Sequence, residues 1–268
     1  MIRPSKTAGD HLTTATANHD THTSFRPSGL KEVFAGEHAW CGEKMMLSSE
    51  LEGSVPLSEF FGSGGFSAAL DTYASAHGGT DRRAVASMWS LYYFSMLTIP
   101  YIVARRADHV LPVAAGDMTI ALAEDGLPRA LGLAREGDWN EGCGADLLAF
   151  VMPLVSQHLG EIIVQLKSVG GIAPKLAWNN AAVYIDYAFN ATERERPADG
   201  DAWASRALFS QTHLPDGSAN PFLGCLRHEL DGEETVCRRK ICCLRYLLPG
   251  IPSCGELCAL PAQRKQLL

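Results

Sequence analysis

The spacing of apolar positions divides the chain into helical, extended and again helical stretches before a final hairpin. Residues 66–77, "FSAALDTYASAH", show helical spacing and stop at Gly78-Gly79, the residue type that ends helices in a left-handed cap. Asp81 then stands where an N-cap is expected for a long apolar helix. That helix spans residues 84–104, "AVASMWSLYYFSMLTIPYIVA", 21 positions without a charge. The length suits a bilayer, but three Ser, one Thr, three Tyr and a Pro dilute it, and arginine pairs flank both ends. Paired charges on both sides give no orientation. A buried helix is expected instead, ending near Pro100, because the residue before a proline disfavours helical backbone.

From 110 to 134 the texture changes to short apolar segments broken by Gly and Asp. Asp125-Gly126 is a hairpin signal, so an antiparallel meander is expected here. Residues 145–169 return to helical spacing, with Val151, Leu154, Val155, Leu159, Ile162, Ile163 and Leu166 on one stripe. His158 falls inside that helix and reads as a partly exposed or core histidine. "APKLAWNNAAVYIDYAFNAT" reads as a further helix opening near Trp178, followed by a polar link at 193–200, a short helix at 202–210 and a loop at 215–221. Residues 28–62 read as a short helix and loops. After Phe222, "LGCLRHEL" and "TVCRRKIC" flank "DGEE", a second hairpin with Asp-Gly at its turn.

These elements give an α+β fold: a predominantly helical body with an antiparallel β-meander and a small C-terminal cysteine-rich unit. The expected division is a disordered tail at 1–28, a body at 29–222 and the C-terminal unit at 223–268. The 268-residue chain is 46% hydrophobic and 20% charged, ordinary for a globular protein. Its net charge of −7 argues against a general nucleic-acid binder. The charge is uneven: residues 223–268 carry about +2 and the remainder about −9. The first 25 residues lack an apolar signal core, and their His11, His19 and His22 read as tail residues. The expected compartment is therefore the cytoplasm, where thiols stay reduced.

Eight cysteines then need another explanation. Cys242, Cys243, Cys254 and Cys258 fall within 17 positions, in "RRKICCLRYLLPGIPSCGELCALP". Thiolates select zinc, cuprous copper or iron–sulfur clusters. Pro249-Gly250 and Pro252 can fold the chain back to bring both pairs together. Neighbouring side chains of an extended segment point apart, and zinc knuckles usually space their pair as C-x₂₋₄-C. A binuclear [2Fe–2S] cluster tolerates a contiguous pair more easily, and a structural Cys₄ zinc site on a non-enzymatic interaction module stays open beside it. Cys41 and Cys143 read as buried thiols; Cys225 and Cys237 lie on opposing hairpin strands, as core residues or substitute ligands.

The ending "RRKICCLRYLLPGIPSCGELC" resembles the C-terminal signature of the siderophore-iron reductase family, the FhuF-like ferric iron reductases. Fainter likenesses run through "ASMWSLYYFSMLTIP", "LAEDGLPRALGL", "PKLAWNNAA" and "NPF", so that the resemblance covers roughly residues 30–261 and is strong at its end. It implies a [2Fe–2S] cluster on Cys242, Cys243, Cys254 and Cys258. It also implies one-electron reduction of siderophore-bound Fe³⁺, of hydroxamate type, with release of Fe²⁺ in the cytoplasm. The electron donor would be a ferredoxin, a flavoprotein or reduced flavin, with peripheral association at the inner membrane as an option. No general acid or nucleophile is needed. The chain departs from the family motif in one place: three residues, Gly255, Glu256 and Leu257, separate the last two cysteines where the motif has two. Arg238, Arg239, Lys240 and Arg245 would stabilise a reduced cluster, Gly255 would offer its N–H to a sulfur, and Trp89, Trp178, Asn179 and Asn180 are candidates for a substrate pocket or for the core.

Overall fold

A computed structural model describes residues 27–142, 147–193, 208–231 and 234–264. The expected N-terminal tail up to residue 26, Cys143, the link at 194–200 and most of the short helix at 202–210 lie outside the described residues. The architecture is α+β, as the apolar pattern indicates.

The core is built around one long helix. Helices α1 (Leu30–Val33), α2 (Ala39–Lys44), α3 (Leu57–Gly62) and α4 (Gly65–His77) lead to α5, Arg82–Arg106. The Asp81 carboxylate accepts from Arg83 N at 2.9 Å and caps α5, satisfying one of the orphan donors of a helix start. Pro100 does not end the helix; it lies inside it. An interior proline costs roughly 3 kcal/mol. Tyr101, Ile102 and Ala104, in the turn beyond it, are fully buried, and burying a large apolar side chain contributes about 1.5–3 kcal/mol. Burial therefore outweighs the lost hydrogen bond, and the helix continues. Among the described residues, no helix is long and apolar enough to cross a membrane.

The 145–169 stretch is α6 (Leu147–Leu154), one π-helical turn (Val155–Leu159) and α7 (Gly160–Ser168). His158 sits in the π turn, fully buried, with Nε2 2.6 Å from Tyr93 Oη and Nδ1 2.8 Å from Val113 O. It is a core histidine with both ring nitrogens occupied. Helix α8, Pro174–Glu193, begins four residues before Trp178. Proline is favoured at a helix start, where its missing N–H is not needed. Helix α8 packs along α5 and makes the second wall of the core.

Strands β1 (Met45–Leu47), β2 (Val55–Pro56), β4 (Thr119–Leu122) and β5 (Pro128–Leu133) form a sheet of order β1-β5-β4-β2. The expected β4–β5 hairpin forms around Asp125-Gly126. Its flanks correct the reading of residues 28–62 as helix and loops: β2 adds antiparallel to β4, and β1 adds parallel to β5. Strands of two or three residues are too short to show an alternation. Gly126 has φ +83, and its carbonyl receives the Trp89 indole N–H at 3.1 Å. A side chain there would meet Ala69 O at 2.4 Å, so the turn needs glycine for both its angle and its space. Strands β3 (His109–Val110) and β6 (Asp138–Trp139) form a separate pair. Strands β7 (Leu226–Asp231) and β8 (Glu234–Arg239) form the C-terminal hairpin in antiparallel register, Leu226 opposite Arg239.

Candidate functional site

The hairpin delivers the chain into a loop that carries Cys242, Cys243, Cys254 and Cys258. Cys243 and Cys258 are buried, and Cys242 and Cys254 are half-buried. Cys243 Sγ and Cys254 Sγ are 3.8 Å apart. Two thiolates bound to one metal at about 2.3 Å in a tetrahedral arrangement sit about 3.8 Å apart, so this pair is spaced as ligands of a common ion. Among the described residues, the one set of three or more donors gathered within 4.8 Å is Asp186, His228 and Cys237; the four loop sulfurs spread wider than that. They are still near enough to act on one another: the charges of Cys243 and Cys258 help raise both Cys242 and Cys254.

The backbone explains how adjacent cysteines share one site. Leu244 has φ +61, an unusual angle for a residue with a side chain. The chain turns there instead of running extended, and Leu244 N–H points back to Cys242 Sγ at 3.3 Å. Residues Gly255–Leu257 form a single 3₁₀ turn bracketed by Cys254 and Cys258. The three-residue gap is thus one closed turn, with Cys258 N bonded to Gly255 O at 3.0 Å. Gly255 N–H is taken by Ser253 Oγ at 3.2 Å, not by a sulfur. The glycine serves the turn through its φ of +58. The amides that do reach sulfur are those of Leu244 and, at 3.4 Å from Cys258 Sγ, Leu260.

Charge is arranged unevenly around the thiols. Hydrogen bonding from Cys254 pulls Cys243 down, burial opposes that, and the Arg239 and Arg245 guanidinium groups add to the lowering. Cys254, its partner in that pair, is pushed up. Burial raises Cys242. Arg239 is 2% exposed, and its Nε, like that of Arg245, is buried without a hydrogen-bond acceptor among the described residues. Arg238 is turned aside: its guanidinium meets Glu229 at 3.0 Å and Glu256 at 2.7 Å and also bonds Glu256 O at 3.0 Å. Lys240 is exposed. Two of the four expected cations, Arg239 and Arg245, are therefore near enough to lower Cys243. A cleft of about 290 Å³ opens beside Cys254, lined by Leu91, Tyr184, Arg239, Arg245 and Ser253 among others.

The two central helices hold this loop. Ser87 on α5 donates to Cys243 O at 2.7 Å. Asn180 on α8 is fully buried; its amide donates to Ser87 Oγ at 3.0 Å and Ser90 Oγ at 2.9 Å, and its carbonyl accepts from Arg239 Nη1 at 2.5 Å. Asn179 donates to Cys225 O. Asn179 and Asn180 are fully buried and brace the cysteine unit. Trp89 is fully buried, stacked between Phe60 and Tyr93, and Trp178 packs edge-on to Phe222. Cys41 is a buried thiol, pushed up to about 12 by burial. Cys225 is buried just before β7, and Cys237 lies opposite His228 rather than opposite Cys225. The serines of "SMWS" at 87–90 lie inside a quoted likeness, yet nothing in their spacing marked them as loop anchors.

The comparisons with known proteins bear on the same residues. A family model described as ferric iron reductase FhuF-like transporter matches residues 87–236. The match runs from Ser87 through α8 and into β8, and ends before Cys242. The chain is also 29% identical over 103 residues to the protein named ferric siderophore reductase of Escherichia coli (strain K12). That alignment covers 38% of this chain and 38% of the relative's own length. With the family match covering more than half of the sequence and including both helices that clamp the cysteine loop, the chain belongs to the FhuF-like ferric iron reductase family.

Proposed function

We propose that this protein is a ferric-siderophore reductase whose Cys242, Cys243, Cys254 and Cys258 hold a [2Fe–2S] cluster, and that it releases Fe²⁺ from hydroxamate-type chelates in the cytoplasm. The observation that carries this reading is the thiol geometry. One pair stands at the spacing of two ligands on a common ion, while the four sulfurs together spread wider than a single tetrahedral ion requires. Two backbone amides directed at sulfurs, and the guanidinium groups of Arg239 and Arg245 around the cleft that Cys254 lines, suit a centre of net negative charge.

When bound, such a cluster supplies one electron at a time. Chelated Fe³⁺ takes that electron and becomes Fe²⁺, which hard oxygen donors hold less tightly. The protein's own residues set the terms. Arg239 and Arg245 offset the extra negative charge of the reduced site in a region of low polarisability. The clamp of Ser87, Asn180 and Asn179 fixes the loop, which limits reorganisation as charge changes. The cleft beside Cys254 is too small to enclose a whole siderophore, so the substrate rests at its mouth. No side chain needs to give or take a proton from the substrate. The basic C-terminal stretch, about +2 against about −9 elsewhere, suits docking of an acidic donor such as a ferredoxin or flavoprotein.

Anaerobically purified protein tests this directly. The expected result is a red-brown chain with about two irons and two acid-labile sulfides, both lost in Cys242→Ser and in Cys243→Ser while far-UV circular dichroism is unchanged. Chemically reduced protein should release Fe²⁺ from ferric hydroxamates to a ferrous chelator. One zinc per chain, no sulfide and no visible absorption would overturn the cluster and restore a structural zinc site.

A further inference from the structure

A second set of metal-ligand side chains lies outside the four-cysteine loop. The register of β7 and β8 sets His228 directly opposite Cys237, and directly opposed residues of an antiparallel pair share one face. That face meets α8 at Asp186, which is buried. His228 Nε2 is 3.1 Å from Asp186 Oδ1, and Cys237 Sγ lies within 4.8 Å of both groups. Asn190 Nδ2 steadies that carboxylate at 3.2 Å from Oδ2. One nitrogen, one oxygen and one sulfur donor, from three separate elements, all lie within 4.8 Å of one another.

The order of the three groups says what they can do. In a nucleophilic triad the imidazole stands between thiol and carboxylate. Here the imidazole Nε2, the nitrogen that would face a thiol, is taken by the carboxylate. Burial and the Asp186 charge raise the Cys237 thiol, the opposite of an activated nucleophile. The three donors meet at one half-buried point. A divalent ion fits there: thiolate and carboxylate balance its charge and the imidazole binds neutral.

We propose that Asp186, His228 and Cys237 bind a single divalent transition-metal ion of borderline softness, Zn²⁺ or Fe²⁺, at a site separate from the four-cysteine loop. Mixed S, N and O donors favour such ions over Mg²⁺ and Ca²⁺. His228 is at the surface, so solvent can fill a fourth coordination position, the arrangement of three-ligand sites. Binding forms one metal–sulfur bond and releases the Cys237 proton to solvent; Asp186 and His228 contribute lone pairs. No electron moves.

The test is equilibrium dialysis of the full-length protein as purified against Zn²⁺ in excess Mg²⁺, for wild type, Cys237→Ser, His228→Gln and Asp186→Asn. Wild type should retain one more Zn²⁺ per chain than Cys237→Ser, and each variant should bind at least about tenfold more weakly, as loss of one ligand from a three-ligand site requires. An anaerobic arm with Fe²⁺ should show the same site with lower affinity. Co²⁺ should give a thiolate-to-metal absorption band in wild type and in Cys225→Ser, and none in Cys237→Ser. Equal Zn²⁺ content in wild type and Cys237→Ser, or equal competition by Mg²⁺, would overturn the proposal. His228→Gln changes only a surface side chain and keeps the test valid if a buried substitution unfolds the chain. Each readout is a difference between samples that share the same four-cysteine loop, so it stands or fails independently of what that loop holds.

Discussion

Asn180→Ala removes the buried amide that joins α5, α8 and the β8 arginine, and its cost can be worked group by group. Ser87 Oγ keeps its bond to Cys243 O at 2.7 Å, and Ser90 Oγ keeps Ser87 O at 2.7 Å. Both hydroxyls remain satisfied, so their loss is small. Arg239 has no such reserve: it is 2% exposed and its Nε already lacks an acceptor among the described residues. Taking away Asn180 Oδ1, 2.5 Å from Nη1, strips a buried charge of this partner. Breaking a buried charged interaction from one side costs about 3–5 kcal/mol. For a chain of this size that lowers the melting midpoint by roughly 6–20 °C. Urea unfolding followed by far-UV circular dichroism measures the loss. The double variant Asn180→Ala/Arg239→Met should be less destabilised than the two single losses added together, with a coupling of about 1.5–3 kcal/mol. A loss under about 1 kcal/mol for Asn180→Ala, or strict additivity in the double variant, would refute the clamp.

Three further outcomes follow from other sites. Burial lowers His158 to about 4 from 6.5; the unfolded chain therefore binds the proton first, and the stability is present above pH 6.5 and lost as pH falls toward 4. The urea midpoint should drop over that window by up to about 3 kcal/mol of stability, and His158→Gln should flatten the slope. Gly126→Ala places a side chain at φ +83 and 2.4 Å from Ala69 O, so calorimetry should show a destabilisation of at least about 1–3 kcal/mol. Glu256→Ala removes the carboxylate partner of Arg238 from a side chain that is 59% exposed and leaves the bond from Arg238 to the residue-256 carbonyl; urea unfolding should show a change in global stability of less than about 1 kcal/mol, and transfer of iron from the proposed cluster to an external chelator should accelerate because the 3₁₀ turn is held by one contact fewer.

Long helices and Asp-Gly hairpins were legible in the sequence because their signals are local and repeated. Asp81, Gly78 and both hairpins stand where the pattern puts them. Pro100 misled because a local backbone preference was set against tertiary burial, which is invisible in a window of neighbours. Strands β1 and β2 are too short for a period to emerge. At the site, the four cysteines announce themselves by spacing, and Arg239 by proximity in sequence. Ser87, Asn180 and Asp186 did not: their roles depend on the packing of α5, α8 and β8, which are far apart in the chain. Gly255 shows the same limit, since only the backbone angle distinguishes a residue that makes a turn from one that offers its amide to sulfur.

The two halves of the cysteine loop are fastened to different things. Cys243 is tied through its carbonyl to Ser87 in the helical core. The turn between Cys254 and Cys258 is tied through Glu256 to Arg238 on the hairpin, by an ion pair whose acidic side is open to water and by a bond from the guanidinium to the Glu256 carbonyl. The first pair is therefore anchored on the helical core and the second on the hairpin. On the proposed reading, a scaffold protein handing over a preassembled cluster would meet a fixed half-socket at Cys242-Cys243, and the Glu256 turn would close behind the cargo like a latch. Maturation of the protein would then require no unfolding of its core, and loss of the cluster under oxidative damage would leave a body ready to be reloaded.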